Sequence, residues 1–395
     1  MDEVRRRSWA EIDLGAAEYN FKQIKAVLKP GVRFCCVVKA DAYGHGAVEL
    51  AKLYESLGAD WFAVSNIEEA LQLRLSDVSL PILVLGYTPV GCAELLAKYN
   101  ISQCMYSYDY AKALSSAAVA AKVSVSVHVK FDTGMGRIGF RSKGDEHDEL
   151  DLALAACGLP GIMVEGAFTH FAVADESDNG EAFTRCQYQN FVAGTKYLED
   201  NGVRIRIKHC ANSAAIFDYP EYQLDMVRAG VILYGVKPSD AVKNLPALKP
   251  VMTLRSVISH IKTVYPGESI SYGCVFKAER PMRVATIPIG YADGFWRANY
   301  KPPYSLLVNG YDVPILGKVC MDQLMVDVTD ARCEVGDIVT VFGSEPGHTA
   351  DDIASVNGTI NYEVLCAVGA RVPRAYVRDG KTLAWRDHLY GDESV

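Results

Sequence analysis

Val37-Val38-Lys39-Ala40-Asp41-Ala42-Tyr43-Gly44-His45-Gly46 joins an apolar run to a helical one. Upstream, Phe34-Cys35-Cys36-Val37-Val38 has the length and character of a buried strand. Lys39 ends that run, two glycines mark a turn, and Ala47 to Leu57 has helical spacing. A lysine at the carboxyl end of a buried strand is costly unless its charge is used or lost. Burial lowers an amine's pKa, and a neutral amine can form a Schiff base with an aldehyde. Taken alone, such a lysine more often snorkels out of the strand end.

Strand–helix alternation continues outward from this unit. Strands are expected at Phe34–Lys39, Trp61–Val64, Ile82–Gly86, Gln103–Tyr106, Val123–Phe131, Met163–Thr169, Arg206–Cys210 and Asp225–Ala229. Helical segments lie between nearly all of them: Val48–Leu57, Ile67–Leu75, Ala93–Tyr99, Asp109–Ala121, Glu149–Ala156 and Glu181–Asn201. That rhythm is the one of a TIM (β/α)8 barrel. A doubly wound sheet is the structural alternative, but no GxGxxG turn follows the first strand. Near Lys243–Pro250 the helical periodicity fades. Short β-rich runs follow, at Thr253–Ile261, Arg283–Pro288, Ser305–Val308, Gln323–Val328 and Ile338–Phe342. A helical stretch, Ala350–Val356 and again Tyr362–Ala367, is set among them. The expected fold class is α/β plus all-β: a barrel over residues 9–243 and a C-terminal β-strand domain over 244–388. Ser8–Leu14 is expected to join the β-domain's sheet.

Composition narrows the function. With 395 residues, half of them hydrophobic, the chain can fill a barrel and a second core. The net charge of −8 argues against a nucleic-acid surface and against acidic membranes. No apolar run reaches the ~20 residues needed to span a bilayer. The eleven cysteines have no CxxC pair or repeated spacing, as in a reduced cytoplasmic protein, and no metal motif is seen. Arg5-Arg6-Arg7 has no apolar stretch behind it, so a signal peptide is not expected.

Barrels hold their reactive side chains at the carboxyl ends of strands. There, His128-Val129-Lys130-Phe131-Asp132-Thr133-Gly134-Met135-Gly136-Arg137 sets Lys130, Asp132 and Arg137 around a glycine-rich turn. His170 closes strand six, and His209 ends strand seven with no assignable role. Asn212-Ser213 reads as a helix N-cap and an anion site, because helix N-terminal amides attract anions. Strand eight brings Arg228, Gly230 and Val231, and barrels commonly bind phosphate after strands seven and eight. The β-domain supplies Ser271-Tyr272-Gly273, Met321-Asp322 and Tyr362.

These segments resemble the alanine racemases, pyridoxal 5′-phosphate (PLP) enzymes of fold type III. Val37–Gly46 is similar to the family's cofactor-lysine signature, and the motifs follow in family order from about Trp9 to about Tyr376. Lys318 stands where the family commonly has arginine, and Val231 where it commonly has isoleucine. The resemblance implies that Lys39 carries PLP and is one catalytic base, and that Tyr272 is the other. It implies phosphate contacts from Tyr43, Asn212, Ser213, Gly230, Val231 and Tyr362. It places His170 near the cofactor ring, and Arg228 at the pyridine nitrogen. Arg137 would contact the cofactor's phenolic oxygen and the substrate carboxylate, which Met321 and Asp322 would also help bind. Lys130 would be carbamylated and hold Arg137. The family is a homodimer in which Tyr272 reaches the other subunit's barrel. The implied activity interconverts L- and D-alanine for peptidoglycan.

Three other readings compete. Serine racemases share the fold, although the bulk of Tyr362 favours a methyl over a hydroxymethyl group. Fold-type III decarboxylases need an acidic Cys-Glu-Ser-type motif that is absent here. PLP-carrying binding proteins are a barrel alone and have no counterpart of the β-domain.

Overall fold

The computed structural model describes residues 6–143, 148–176, 178–389 and 393–394. The residues before Arg6, read above for a leader, lie outside them. The chain folds as two compact units. One comprises residues 18–42 and 47–248; the other comprises 1–17, 43–46 and 249–395.

The first unit is a parallel barrel. Its strands are Arg33–Val37, Trp61–Val64, Ile82–Val84, Ile101–Met105, Val125–Asp132, Ile162–Phe168, Ile207–His209 and Met226–Ala229. Each pairs in parallel with the next as far as the seventh, and the eighth pairs with the first, Met226 opposite Arg33. Between the seventh and eighth, Asp225 N donates to Lys208 O at 3.1 Å and Arg228 N to Ala211 O at 3.0 Å, so the ring nearly closes. Most strand positions are buried, which is why the strands read as apolar runs rather than alternations; the start of Ile162–Phe168 departs from this, with Met163 exposed.

The first strand stops at Val37, two residues short of Lys39. Lys39 instead opens the helical turn Lys39–Gly44. Ala40, Asp41, Ala42, Tyr43 and Gly44 have φ of +52°, +53°, +54°, +54° and +83°, so the turn is left-handed. Each non-glycine residue there costs about 1–2 kcal/mol. Gly44 is required: a Cβ would lie 2.5 Å from the Leu365 carbonyl oxygen.

The second unit is built on an eight-stranded sheet. Ser8–Asp13 lies inside it, antiparallel to Met252–Val257 and parallel to Arg374–Arg378. The run expected as one strand, Thr253–Ile261, is two. Met252–Val257 alternates buried and half-buried residues in the large sheet. The chain bends at Ile258–Ser259, and His260–Val264 pairs in a separate three-stranded sheet with Met282–Ile287. Asn309 and Gly310, both with positive φ, turn Ser305–Val308 back into Tyr311–Pro314. A short hairpin, Ser269–Ile270 with Phe276–Lys277, carries Tyr272 between its arms. Ile270 is buried with Val264, Met282, Val284 and Leu316, which anchors the hairpin's base.

Candidate active site

Arg228 is the centre of the barrel's polar interior. It leaves the eighth strand fully buried. Its guanidinium donates to Thr169 O at 2.7 Å, Cys210 O at 3.1 Å and His209 Nδ1 at 2.8 Å, with His170 Nδ1 at 3.4 Å. Burial lowers its pKa to about 10, with Arg137 adding to the effect, so it remains cationic at neutral pH. An arginine can only donate hydrogen bonds. His209 Nδ1 must therefore accept, and its Nε2 carries the proton toward His128 Nδ1, 2.9 Å away. His128 then turns its protonated Nε2 to Glu165 Oε2 at 3.6 Å, a polar contact beyond hydrogen-bond length. Glu165 also accepts from Ser102 at 2.6 Å. Burial holds both histidines below the ordinary imidazole pKa, His209 furthest, with Arg228 acting in the same direction. Burial alone would raise the Glu165 carboxyl; His128 and Ser102 more than offset this and keep it low. Gly166 makes room for the row, since a Cβ there would lie 2.5 Å from His128 Nδ1.

Phe168 presents its ring to the same interior. His209 stacks on it at 5.0 Å, and the charges of Lys130 and Arg228 each lie 5.5 Å from its centre. Lys130 is buried and donates to Phe131 O at 2.7 Å. Burial, then Arg228 and Arg137, lower its pKa to about 8 against the opposing pull of Cys104 and Asp132. Arg137 is exposed on the loop that follows. Asp132 Oδ1 shapes that loop by accepting from Gly134 N at 2.9 Å and Gly136 N at 3.0 Å. His170 is half-exposed at the end of the sixth strand. Burial of its ring, then Arg228, Arg137, Lys130 and Lys39, push its pKa well down. Lys39 is half-buried.

The loops after strands seven and eight meet. Asn212 caps the helix Ser213–Asp218, its side chain accepting from Ala215 N at 3.1 Å. Ser213 Oγ accepts from Gly230 N at 3.0 Å, and Val231 follows as the first residue of a 3-10 turn. Asn212, Ser213, Gly230 and Val231 are thus gathered at one place on the barrel.

The remaining expected residues belong to the second unit. Tyr43 is buried, its ring 6.0 Å from that of half-exposed Tyr362. Burial pushes the Tyr43 hydroxyl's pKa up, so it stays a proton donor. Tyr272 is 63% exposed. Arg297 stands over it, 5.7 Å from its ring and 5.9 Å from that of Tyr291. The preceding Ser271 has φ +66° and donates to Lys318 O at 2.5 Å. Met321 is exposed, and its carbonyl accepts from Ala292 N at 3.0 Å. Asp322 is engaged by Arg371 at 2.9 Å.

Sequence reasoning passed over His128, Glu165 and Arg297, and left His209 without a role. His128 had one signal, since it lies two residues before Lys130 and shares its strand face. Glu165 and Arg297 had none.

A parallel (β/α)8 barrel joined on one chain to a β-rich unit is the architecture of the fold-type III PLP enzymes. The family model for the alanine racemase N-terminal domain matches residues 12–238, and that for the C-terminal domain matches residues 251–376. The chain belongs to the alanine racemase family. It is 46% identical to an alanine racemase of Desulfovibrio desulfuricans, over 94% of this chain and 98% of that one. It superimposes on the alanine racemase of Clostridium difficile 630 with a TM-score of 0.92 and 42% identity, covering 98% of this chain and all of that one. The alanine racemase of Bacillus anthracis with bound L-Ala-P gives a TM-score of 0.92 at 34% identity, over 98% of this chain and 99% of that one.

Proposed function

We propose that this protein interconverts L- and D-alanine with PLP and supplies D-alanine for peptidoglycan in the cytoplasm. The observation that carries the reading is the match to alanine racemases along nearly the whole chain. We take residues 9–243 as the PLP-binding domain and 244–388 as the β-domain, with residues 9–14 lending a strand to the latter.

The donor set fits a phosphorylated pyridine. Ser213 and Gly230, already joined through the Gly230 amide, and Val231 would receive the phosphate, on the loops where barrels commonly bind one. Asn212, Tyr43 and Tyr362 would complete the contacts. Arg228 is a buried donor that keeps its proton, suited to an acceptor nitrogen. Lys39 would carry the cofactor, with His170 beside the ring. When bound, PLP supplies an electron sink for the bond to the substrate α-hydrogen. Arg228, which holds its proton, would leave an acceptor nitrogen placed beside it unprotonated and so would restrain that electron sink. Such restraint would favour return of the proton to the α-carbon.

Inversion needs one base on each face of the α-carbon. Lys39 would serve one face and Tyr272 the other. Arg137, Met321 and Asp322 would hold the substrate carboxylate; a planar fork suits it. Carbamylated Lys130 would steady Arg137. Tyr272, exposed as Tyr291 and Met321 are, would meet the barrel of a second subunit in a homodimer.

Incubation with L-alanine, L-serine and L-ornithine, followed by chiral and mass analysis, tests the activity. D-alanine is expected as the main product. Dominant D-serine would move the assignment to serine racemase, and putrescine would move it to a decarboxylase. Lys39→Ala should lose both turnover and the absorbance of about 420 nm expected of the lysine-bound cofactor. Normal turnover by that variant would remove Lys39 from the chemistry.

A further inference from the structure

Ala40, Asp41, Ala42 and Tyr43 are not residues that choose a left-handed turn, since glycine alone populates positive φ freely. Contacts beyond the segment must specify it, and two carboxylates in the barrel unit do so. Asp41 Oδ1 accepts from Ala47 N at 2.8 Å and ties the turn to the helix Ala47–Ser56. Glu69 Oε1 accepts from Ala40 N at 2.7 Å, and its Oε2 accepts from Ser65 N at 2.7 Å. Ala40 directly follows Lys39, and Ser65 directly follows the second barrel strand. One carboxylate therefore bridges the carboxyl ends of the first two strands. Glu69 is itself fixed in the first turn of the helix Ile67–Leu75, where its amide donates to the N-cap Asn66 at 2.9 Å.

Resting on the reading that Lys39 carries the cofactor, we infer that Glu69 is a positioning residue for Lys39. It holds the amide that follows the lysine, and so sets the direction in which that side chain leaves the barrel. The role needs a carboxylate. Its two oxygens each accept from one backbone N–H, on separate loops, and the negative charge strengthens both bonds. A glutamine would accept from one amide and turn its own NH2 group to the other.

The test compares full-length, PLP-loaded wild type with Glu69→Gln and Glu69→Ala. Hydrogen exchange reports the Ala40 and Ser65 amides, and absorbance titration gives the cofactor dissociation constant. Turnover in both directions gives kcat and KM. In Glu69→Ala, exchange at both amides should rise at least about tenfold while the helix Ala47–Ser56 keeps its protection. Cofactor binding should weaken about tenfold, and kcat should fall about 10- to 100-fold with KM changed less than about threefold, as for a misaligned reacting group. Glu69→Gln should lie between the two; if Glu69→Ala does not fold, Glu69→Gln decides alone. Unchanged exchange, or faster exchange with wild-type cofactor affinity and kcat, overturns the inference. Borohydride trapping separates the two readings. A wild type not trapped at Lys39 overturns the cofactor assignment and this inference with it; a trapped wild type whose Glu69 variants keep its cofactor affinity and kcat overturns this inference alone.

Discussion

Lys130 shares its surroundings with two arginines, and that sets what its amine can become. With a pKa near 8, about a quarter of the amine is neutral at pH 7.5, against about one part in a thousand for an ordinary lysine. Only the neutral amine adds carbon dioxide. The resulting carbamate is an anion, and it would convert a repulsive neighbour of Arg137 and Arg228 into an attractive one. The neutral fraction falls about tenfold for each pH unit below the pKa, so uptake should fade on the acid side and level off above about pH 8. With labelled bicarbonate, the protein should show a carbamate carbonyl resonance that Lys130→Ala lacks. That variant should lose about tenfold in kcat. A wild-type spectrum without the resonance would leave Lys130 a plain buried amine.

At the scale of the element, the sixth strand is tuned by Gly166. A methyl there would meet His128 Nδ1 at 2.5 Å and the Ile207 carbonyl at 2.7 Å, so Gly166→Ala should push the imidazole out of line. The expected cost is about 1–3 kcal/mol in urea unfolding, as for overpacking. With His209 loosened, Arg228 loses its fixed direction, and the bound cofactor's absorbance should shift. A variant of wild-type stability and spectrum would show that the row of histidines bends without consequence. Most barrel strands were legible because buried parallel strands are written as short apolar runs between helices. Trp61–Val64 and Ile67–Leu75 fall where periodicity puts them. The turn after Val38 was not legible, because its hand comes from hydrogen bonds to Glu69, Asp41 and Arg374, all outside residue preference. The loops of strands seven and eight could be foreseen from fold-level phosphate geometry, whereas the Arg228–His209–His128 row joins strands distant in sequence. Arg374–Arg378 and Lys381–Arg386 also went unseen, since a charge at each end interrupts the apolar pattern, at Arg374 even in a buried position.

At the scale of the molecule, the proposed homodimer makes a sharp demand. Lys39→Ala and Tyr272→Ala should each be inactive alone. After co-refolding, about half the dimers are mixed, and one site in each mixed dimer keeps both bases, so about a quarter of the sites should be whole. Activity no higher than either variant alone, with mixed dimers demonstrated, would place Tyr272 with its own barrel. The strand Ser8–Asp13 has a consequence of another kind. Its neighbours in the sheet are Met252–Val257 and Arg374–Arg378. A ribosome adds about 5–20 residues per second, so this strand waits roughly 20–70 s after synthesis for its second neighbour. All eight barrel strands are made within that interval. Trp9 and Ile12, buried in the finished sheet, stay without it until the last neighbour emerges. Translation therefore orders the assembly: the barrel can close while the β-unit, begun first, is completed last.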